Sequence, residues 1–217
     1  VERLMRVLGL RGTSRGEVKR TTAADPAAPR AEDLVGRNFA PAAPNLLWVA
    51  DFTYVSTLTG WVYVAFVIDA YARRILGWKA ASSMTADLVL AAAGHAIFTR
   101  KLEGVNNFER LIHHNDAGSQ YTSLRFTQRL AGEGITPSIG IVGDAHDNAL
   151  AESINGLYKT ELIKPRRPWR GVDHVSAATA DYVDWFNNRR IYEYCGDMPP
   201  AKLEEIYYCT IGSNGIS

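Results

Sequence analysis

Apolar residues along this chain fall into two kinds of run, and the switch between them lays out the elements. LLWVADFTYV, GWVYVAFVIDA and RRILGWKA are short and rich in Val, Ile, Tyr, Phe and Trp. They predict strands at about 47–56, 61–70 and 73–80, with TLTG as a hairpin turn between the first two. A helical period follows over 84–102, opened by a Thr85 cap, in which Leu88, Ala91, His95, Phe98 and Leu102 share one face and are expected to be packed. A strand is then predicted at 109–114, a helix at 123–132 and a short strand at 136–140. Two amphipathic helices complete the pattern, one through DNALAESINGLYKTEL and one through DHVSAATADYVDWFNNRR. The second sets Val175, Ala178, Tyr182, Trp185 and Phe186 on one side.

Three strands in series, then helix and strand in alternation, describe an α/β domain whose antiparallel hairpins precede parallel crossovers. An RNase H-like layout fits that order: a mixed five-stranded sheet flanked by helices. Upstream, VERLMRVLGL is a partial N-terminal helical segment, the expected edge of a further module. The stretch from Gly12 to Asn45, rich in Ala, Pro, Arg and Thr, predicts an extended linker. The expected organisation is therefore residues 1–45 as helical remnant and linker, 46–165 as the core, 166–208 as a basic loop with C-terminal helices, and 209–217 as a frayed tail.

Composition narrows the class. At 217 residues, with 47% hydrophobic and 22% charged content, the chain supports one full core and a smaller appendage. It holds no apolar run of membrane-spanning length, and its first residues lack the apolar centre of a secretory signal. A soluble, cytoplasmic protein with no membrane partner is expected. Cys195 and Cys209 lack the neighbours of a zinc module and predict reduced thiols. A net charge of +1 announces no polyanion partner by itself, but its distribution is uneven. Lys159 to Arg170 holds five basic side chains against Glu161 alone, and residues 1–40 hold eight against five acidic ones.

Three carboxylates change the picture most. Asp51 interrupts a strand-like run, Asp116 ends the apolar LIHHND before a glycine turn, and Glu152 sits inside a helical pattern, with 35 residues between it and Asp116. A lone acid in a buried β-run costs about 2 kcal/mol or more unless a cation or donors meet it. A bound metal would supply the cation. At about 100° per residue, Asn148, Glu152, Asn155 and Lys159 form one stripe of their helix, opposite Leu150, Ile154, Leu157 and Tyr158. Lys159 is then a candidate DNA-phosphate contact, Asn148 and Asn155 are candidate DNA-facing or site-supporting groups, and Arg166 and Arg167 are candidate backbone contacts. Asp69 reads as structural, facing Arg73 or Arg74. By strand alternation His114 points to the side of the sheet bearing Asp116.

Taken together, WVADFTYV, GWVYVAFVIDAYARRILGW, HHNDAGSQYTSLRFTQRL and GDAHDNALAESINGLYKTEL resemble the catalytic core of bacterial insertion-sequence transposases. These belong with retroviral integrases in the DDE superfamily. The resemblance spans roughly Leu46 to Tyr207. It implies that Asp51, Asp116 and Glu152 hold two Mg²⁺ ions, with Mn²⁺ as a substitute, and cleave and transfer DNA strands by in-line displacement. It also implies double-stranded DNA partners (element ends and target), a homo-oligomer on DNA, and an upstream-frame transposase protein as a further partner. The alternatives are an RNase H-type nuclease without strand transfer and an inactive DNA-binding remnant. A glycosidase built on a carboxylate pair fits the basic flanks less well.

Overall fold

A computed structural model of the chain describes residues 31–116, 118, 120–121, 123–140 and 148–214, with backbone alone from 212. The partial N-terminal helix and the first part of the expected linker lie outside these residues. Residues 31–45 contain no helix or strand.

The β-branched and aromatic runs become β1 (Leu47–Thr57), β2 (Gly60–Asp69) and β3 (Arg74–Ala81), followed by β4 (Ile112–Asn115) and β5 (Thr136–Ile139). They form one five-stranded sheet in the order β3-β2-β1-β4-β5. β1 and β2 pair antiparallel from Trp48 opposite Asp69 to Thr57 opposite Gly60, and β3 continues antiparallel on β2. β4 joins the other side of β1 in parallel, with Ala50 opposite Asn115, and β5 is parallel to β4. This is the mixed RNase H-like sheet expected from the strand order.

Alternation along β1 sorts its side chains into two cores. Leu47, Val49 and Val55 face a layer formed by helix α3 (Ala149–Tyr158), the π-turn that extends it (Lys159–Ile163) and helix α4 (Val172–Asn188). Trp48 and Ala50 face helices α1 (Ala86–Leu102) and α2 (Leu124–Ala131). β2, covered on both faces, is buried almost throughout and reads as a continuous apolar run.

The helix faces depart from expectation in one instructive place. His95, Ala91, Phe98 and Leu102 are exposed, and the buried face of α1 is instead Leu88, Val89, Ala92, Ala93, Ala96, Ile97 and Arg100. Size selects it: a Cβ on Gly77 of β3 would collide with the Ala92 carbonyl and with Ala96, so only the small-residue face can lie this close. His95 meets the backbone of Trp78 from outside the core. On α4, Val175, Tyr182 and Phe186 are buried as expected, while Trp185 is exposed and Thr179 takes a core position.

Asp69 is structural, but its partner is neither Arg73 nor Arg74. It is fully buried, accepts the backbone N–H groups of Asn45 and Tyr71, and pairs at 2.9 Å with buried Arg100 of α1. Arg100 also pairs with Glu103 and with buried Glu204 of the C-terminal helix α5 (Pro200–Asn214). That contact explains a second difference. Instead of a frayed tail after Tyr208, the chain stays helical to Asn214, anchored by Glu204 and by Tyr207 packed against Tyr71 at 5.0 Å. No disulfide joins Cys195 and Cys209.

Candidate active site

β1 carries Asp51 on the face covered by α3, the same face as Val49 and Val55. Since Ala50 lies opposite Asn115 in the parallel pair, Asp51 and Asp116 are the next residues on two adjacent strands. Neighbouring strands run about 4.8 Å apart, so the register alone sets these two carboxylates side by side. His114 stands two residues before Asp116, opposite Val49 and therefore on this same face. Its Nδ1 lies 2.9 Å from Ser138 Oγ.

Glu152 reaches the same place from α3, and two asparagines show how. Asn148, at the start of α3, donates its Nδ2 to the Ala50 carbonyl at 3.0 Å, and Asn155 donates its Nδ2 to Asp51 Oδ2 at 2.8 Å. Glu152 is four residues after one and three before the other, so all three share a helix face. Because both flanking side chains touch the β1 segment Ala50–Asp51, Glu152 is presented above it. Glu152 itself is exposed, in the first turn of its helix. Asn148 and Asn155 are both buried, each donating its Nδ2 to β1 while its Oδ1 is buried without a hydrogen-bond partner among the described residues.

Electrostatics match the geometry. Burial, followed by the charge of Asp116 and, more weakly, that of Glu152, pushes the Asp51 carboxyl up to about 7 against the pull of the Phe52 N–H and the Asn155 amide. Partial burial also raises the Asp116 carboxyl, opposed by the Gly118 N–H and the charge of His114. Among the described residues no Lys or Arg forms an ion pair with any of the three acids. A site with this much concentrated negative charge and no resident cation suits a divalent ion chemically. Among the described residues, however, no three His, Cys, Asp or Glu side chains already form a metal-ligand set.

Gly118 shapes the Asp116 side. A Cβ there would lie 3.0 Å from Asp116 Oδ1 and 3.2 Å from Gln120 Oε1, so glycine lets the backbone N–H reach back to the carboxylate at 3.2 Å. Tyr121 is a site residue that sequence reasoning did not single out. It is buried, tilted against Phe52 at 6.4 Å, and held protonated by burial and by the charges of Asp51 and Asp116. Its only sequence signal is its place in GSQYTS, three residues before the next helix opens.

The remaining basic positions lie outside this pocket. Lys159 sits where α3 passes into the π-turn, with Nζ 4.7 Å from the Tyr54 ring centroid. Arg166 and Arg167 are exposed on the loop before α4.

Residues 41–145 and 133–200 match two profiles of the integrase core domain. The chain is 64% identical, over 96% of its length and 75% of the relative's, to a protein assigned to insertion sequence element IS986/IS6110 of Mycobacterium tuberculosis. It is 48% identical to the transposase for insertion sequence element IS629 of Shigella sonnei, covering all of this chain and 71% of that protein. Among solved structures, the HTLV-2 integrase catalytic core in complex with magnesium superposes with a TM-score of 0.56 at 16% identity, over 75% of this chain and 98% of that one. A chain of the simian T-cell lymphotropic virus intasome superposes with a TM-score of 0.61 at 19% identity, over 82% of this chain and 58% of that one.

Proposed function

Because the chain belongs to the integrase-core family of insertion-sequence transposases and carries a DDE-type core for DNA strand cleavage and transfer, we propose that Asp51, Asp116 and Glu152 are its catalytic carboxylates. The observation that supports this most directly is the clamp on β1. Asn148 and Asn155 bond to Ala50 and Asp51 from either side of Glu152, while the β1–β4 register sets Asp116 beside Asp51.

Each supporting side chain has a stated task. Asn155 orients the Asp51 carboxylate and leaves its second oxygen on the Phe52 N–H. Asn148 fixes the height of the first turn of α3, and with it Glu152. The Gly118 N–H holds Asp116 Oδ1, and the Tyr121 ring packs with Phe52 in the core on the opposite face of the sheet, backing the strand that carries Asp51. The three acids would hold Mg²⁺ or Mn²⁺, whose chemistry when bound is to polarise the scissile phosphate and lower the pKa of the attacking oxygen. Glu152 and Asp116 are solvent-accessible, so a phosphodiester can approach from outside while Asp51 stays beneath them.

The substrates in this reading are the ends of the element and a target duplex. Further copies of the chain, and an upstream-frame protein, are its macromolecular partners. Lys159, Arg166 and Arg167 contact DNA phosphates along the rim. Among the described residues no helix is long and apolar enough to cross a membrane.

The test is a nicking and strand-transfer assay on labelled element-end DNA with Mg²⁺ or Mn²⁺, comparing wild type with Asp116→Asn and Glu152→Gln. Both substitutions keep side-chain shape and remove charge. Metal-dependent nicked and joined products that fall by at least about a hundredfold in both folded variants are expected, the scale of losing a group that acts in the transition state. Products that persist in either variant would remove that residue from the site, and nicking without joining would favour a nuclease.

A further inference from the structure

We propose that Tyr54 and Trp61 form a base-stacking platform that receives unpaired nucleotides of the DNA strand leaving the carboxylates. This rests on the reading of the carboxylates as a DNA-processing site and names a contact beyond it. Tyr54 and Trp61 are large aromatics left 55% and 53% exposed. Tyr54 pairs with Tyr63 across the β1–β2 hairpin, and Trp61 lies two residues along from Tyr63, which makes Tyr54 and Trp61 diagonal neighbours on one face. Their rings stand edge to face, 5.3 Å apart at 85°. One ring braces the other, which leaves ring surface of nucleobase dimensions open to solvent.

Position and charge indicate the occupant. Tyr54 is three residues beyond Asp51 on β1, about 10 Å along the strand and by alternation on the other face of the sheet, reached around the β1 edge that β4 leaves unpaired after Ala50, the edge Lys159 crosses to meet it. Lys159 holds its ammonium against the Tyr54 ring, so a base on the aromatic pair would have a cation beside its phosphate. The hairpin turn is tied to the basic loop by the Leu58 N–H donating to the Trp169 carbonyl at 2.8 Å, and Gly171 packs against Thr59. The platform therefore adjoins a segment carrying Lys164, Arg166, Arg167 and Arg170, all exposed and, among the described residues, without an ion-pair partner. The acid in that stretch, Glu161, is taken by Arg190 at 2.7 Å and by the Tyr182 hydroxyl. What is left is aromatic surface framed by unneutralised cations.

Unpaired nucleotides fit better than intact duplex. Inside a duplex the π-faces are stacked on one another, whereas a splayed base offers a whole face to an aromatic ring. In this reading the strand held at the carboxylates passes around the free β1 edge to reach Tyr54, a path open to bases that have left the duplex stack.

The test uses the full chain without divalent metal and two fluorescent probes: a blunt duplex, and the same duplex with a short unpaired extension. Wild type is expected to prefer the extended probe. Tyr54→Ala and Trp61→Ala should each weaken binding of that probe by about tenfold and shrink the preference, while Trp61→Phe retains most of it. Both side chains are half exposed, and thermal unfolding verifies that each variant is folded. Equal affinity of wild type for the two probes, or equal losses on both, would overturn the platform. So would variants that change sedimentation mass without changing DNA affinity, because the patch would then be covered by a second copy of the chain. Metal-dependent nicking by wild type, run in parallel, separates this failure from failure of the active-site reading: a chain that nicks DNA but shows no loss in the variants refutes only the platform.

Discussion

Asp51 holds its proton well above the ordinary carboxylate range, and that has a measurable sign. Its pKa is about 7 in the folded chain against an ordinary value of 3.8, with burial the leading cause and Asp116 next. Between those values the folded state binds the proton more tightly than the unfolded state, so metal-free stability falls as pH rises from about 4 through 7. Asp51→Asn should abolish that contribution and be more stable than wild type at pH ~8 by about 1–3 kcal/mol, a range discounted from the full shift because the carboxyl keeps some contact with solvent. Urea unfolding in EDTA at pH ~5 and ~8 measures it, and an unchanged pH slope in the variant would show that Asp51 is not the strained group. The acid itself was legible in the sequence as a charge interrupting an apolar strand. Its partner was not, because helical periodicity put Asn155 on the outward stripe, whereas 2.8 Å contact with Asp51 turns it inward. A side chain at the edge of a stripe goes where a hydrogen bond waits, and that partner lies 104 residues away.

At the level of elements, order and type were readable and helix faces were not always so. Every strand carried β-branched or aromatic residues between turn signals, and their serial order gave the mixed sheet. α1 is apolar nearly all round, so its period could not choose a face, and the small face was selected by Gly77 on the preceding strand, a contact that periodicity within the helix does not carry. The run of the C-terminal helix past Tyr208 was missed, and part of what anchors that helix is ionic and so invisible to an apolar pattern: Glu204 of α5 meets Arg100 of α1, which meets Asp69 of β2. This cluster makes a sharp prediction. Arg100→Met leaves Asp69 buried without its cation and Glu204 with Arg74 alone, and should destabilise the fold by about 3–5 kcal/mol. Lys101→Met, which breaks the more exposed pair to Glu133, should cost less than about 1 kcal/mol. Chemical denaturation of both variants decides it, and comparable losses would mean that the Arg100 cluster contributes no more than a surface pair.

Across the whole molecule, the three carboxylates come from β1, from the end of β4 and from α3, so any cation they share ties the sheet to the helix that covers it. In the metal-free chain their repulsion works the other way and adds to burial, the leading cause, in raising the Asp51 pKa. Divalent metal should therefore act on stability as well as on catalysis. A ligand that binds only the folded state adds RT ln(1 + [L]/Kd), about 1.4 kcal/mol at ten times Kd. For a domain of this size that is a rise of roughly 3–6 °C in unfolding temperature. The metal must displace the Asp51 proton, so the rise should be larger at pH ~8 than at pH ~6, opposite to the trend of the metal-free chain. Asp116→Asn or Glu152→Gln should remove most of it while leaving the metal-free unfolding temperature equal to or above that of wild type, since each relieves repulsion on Asp51. Differential scanning fluorimetry with Mg²⁺, Mn²⁺ and EDTA across this pH range tests the coupling without DNA. A metal-induced rise that survives both substitutions would place the cation elsewhere in the fold.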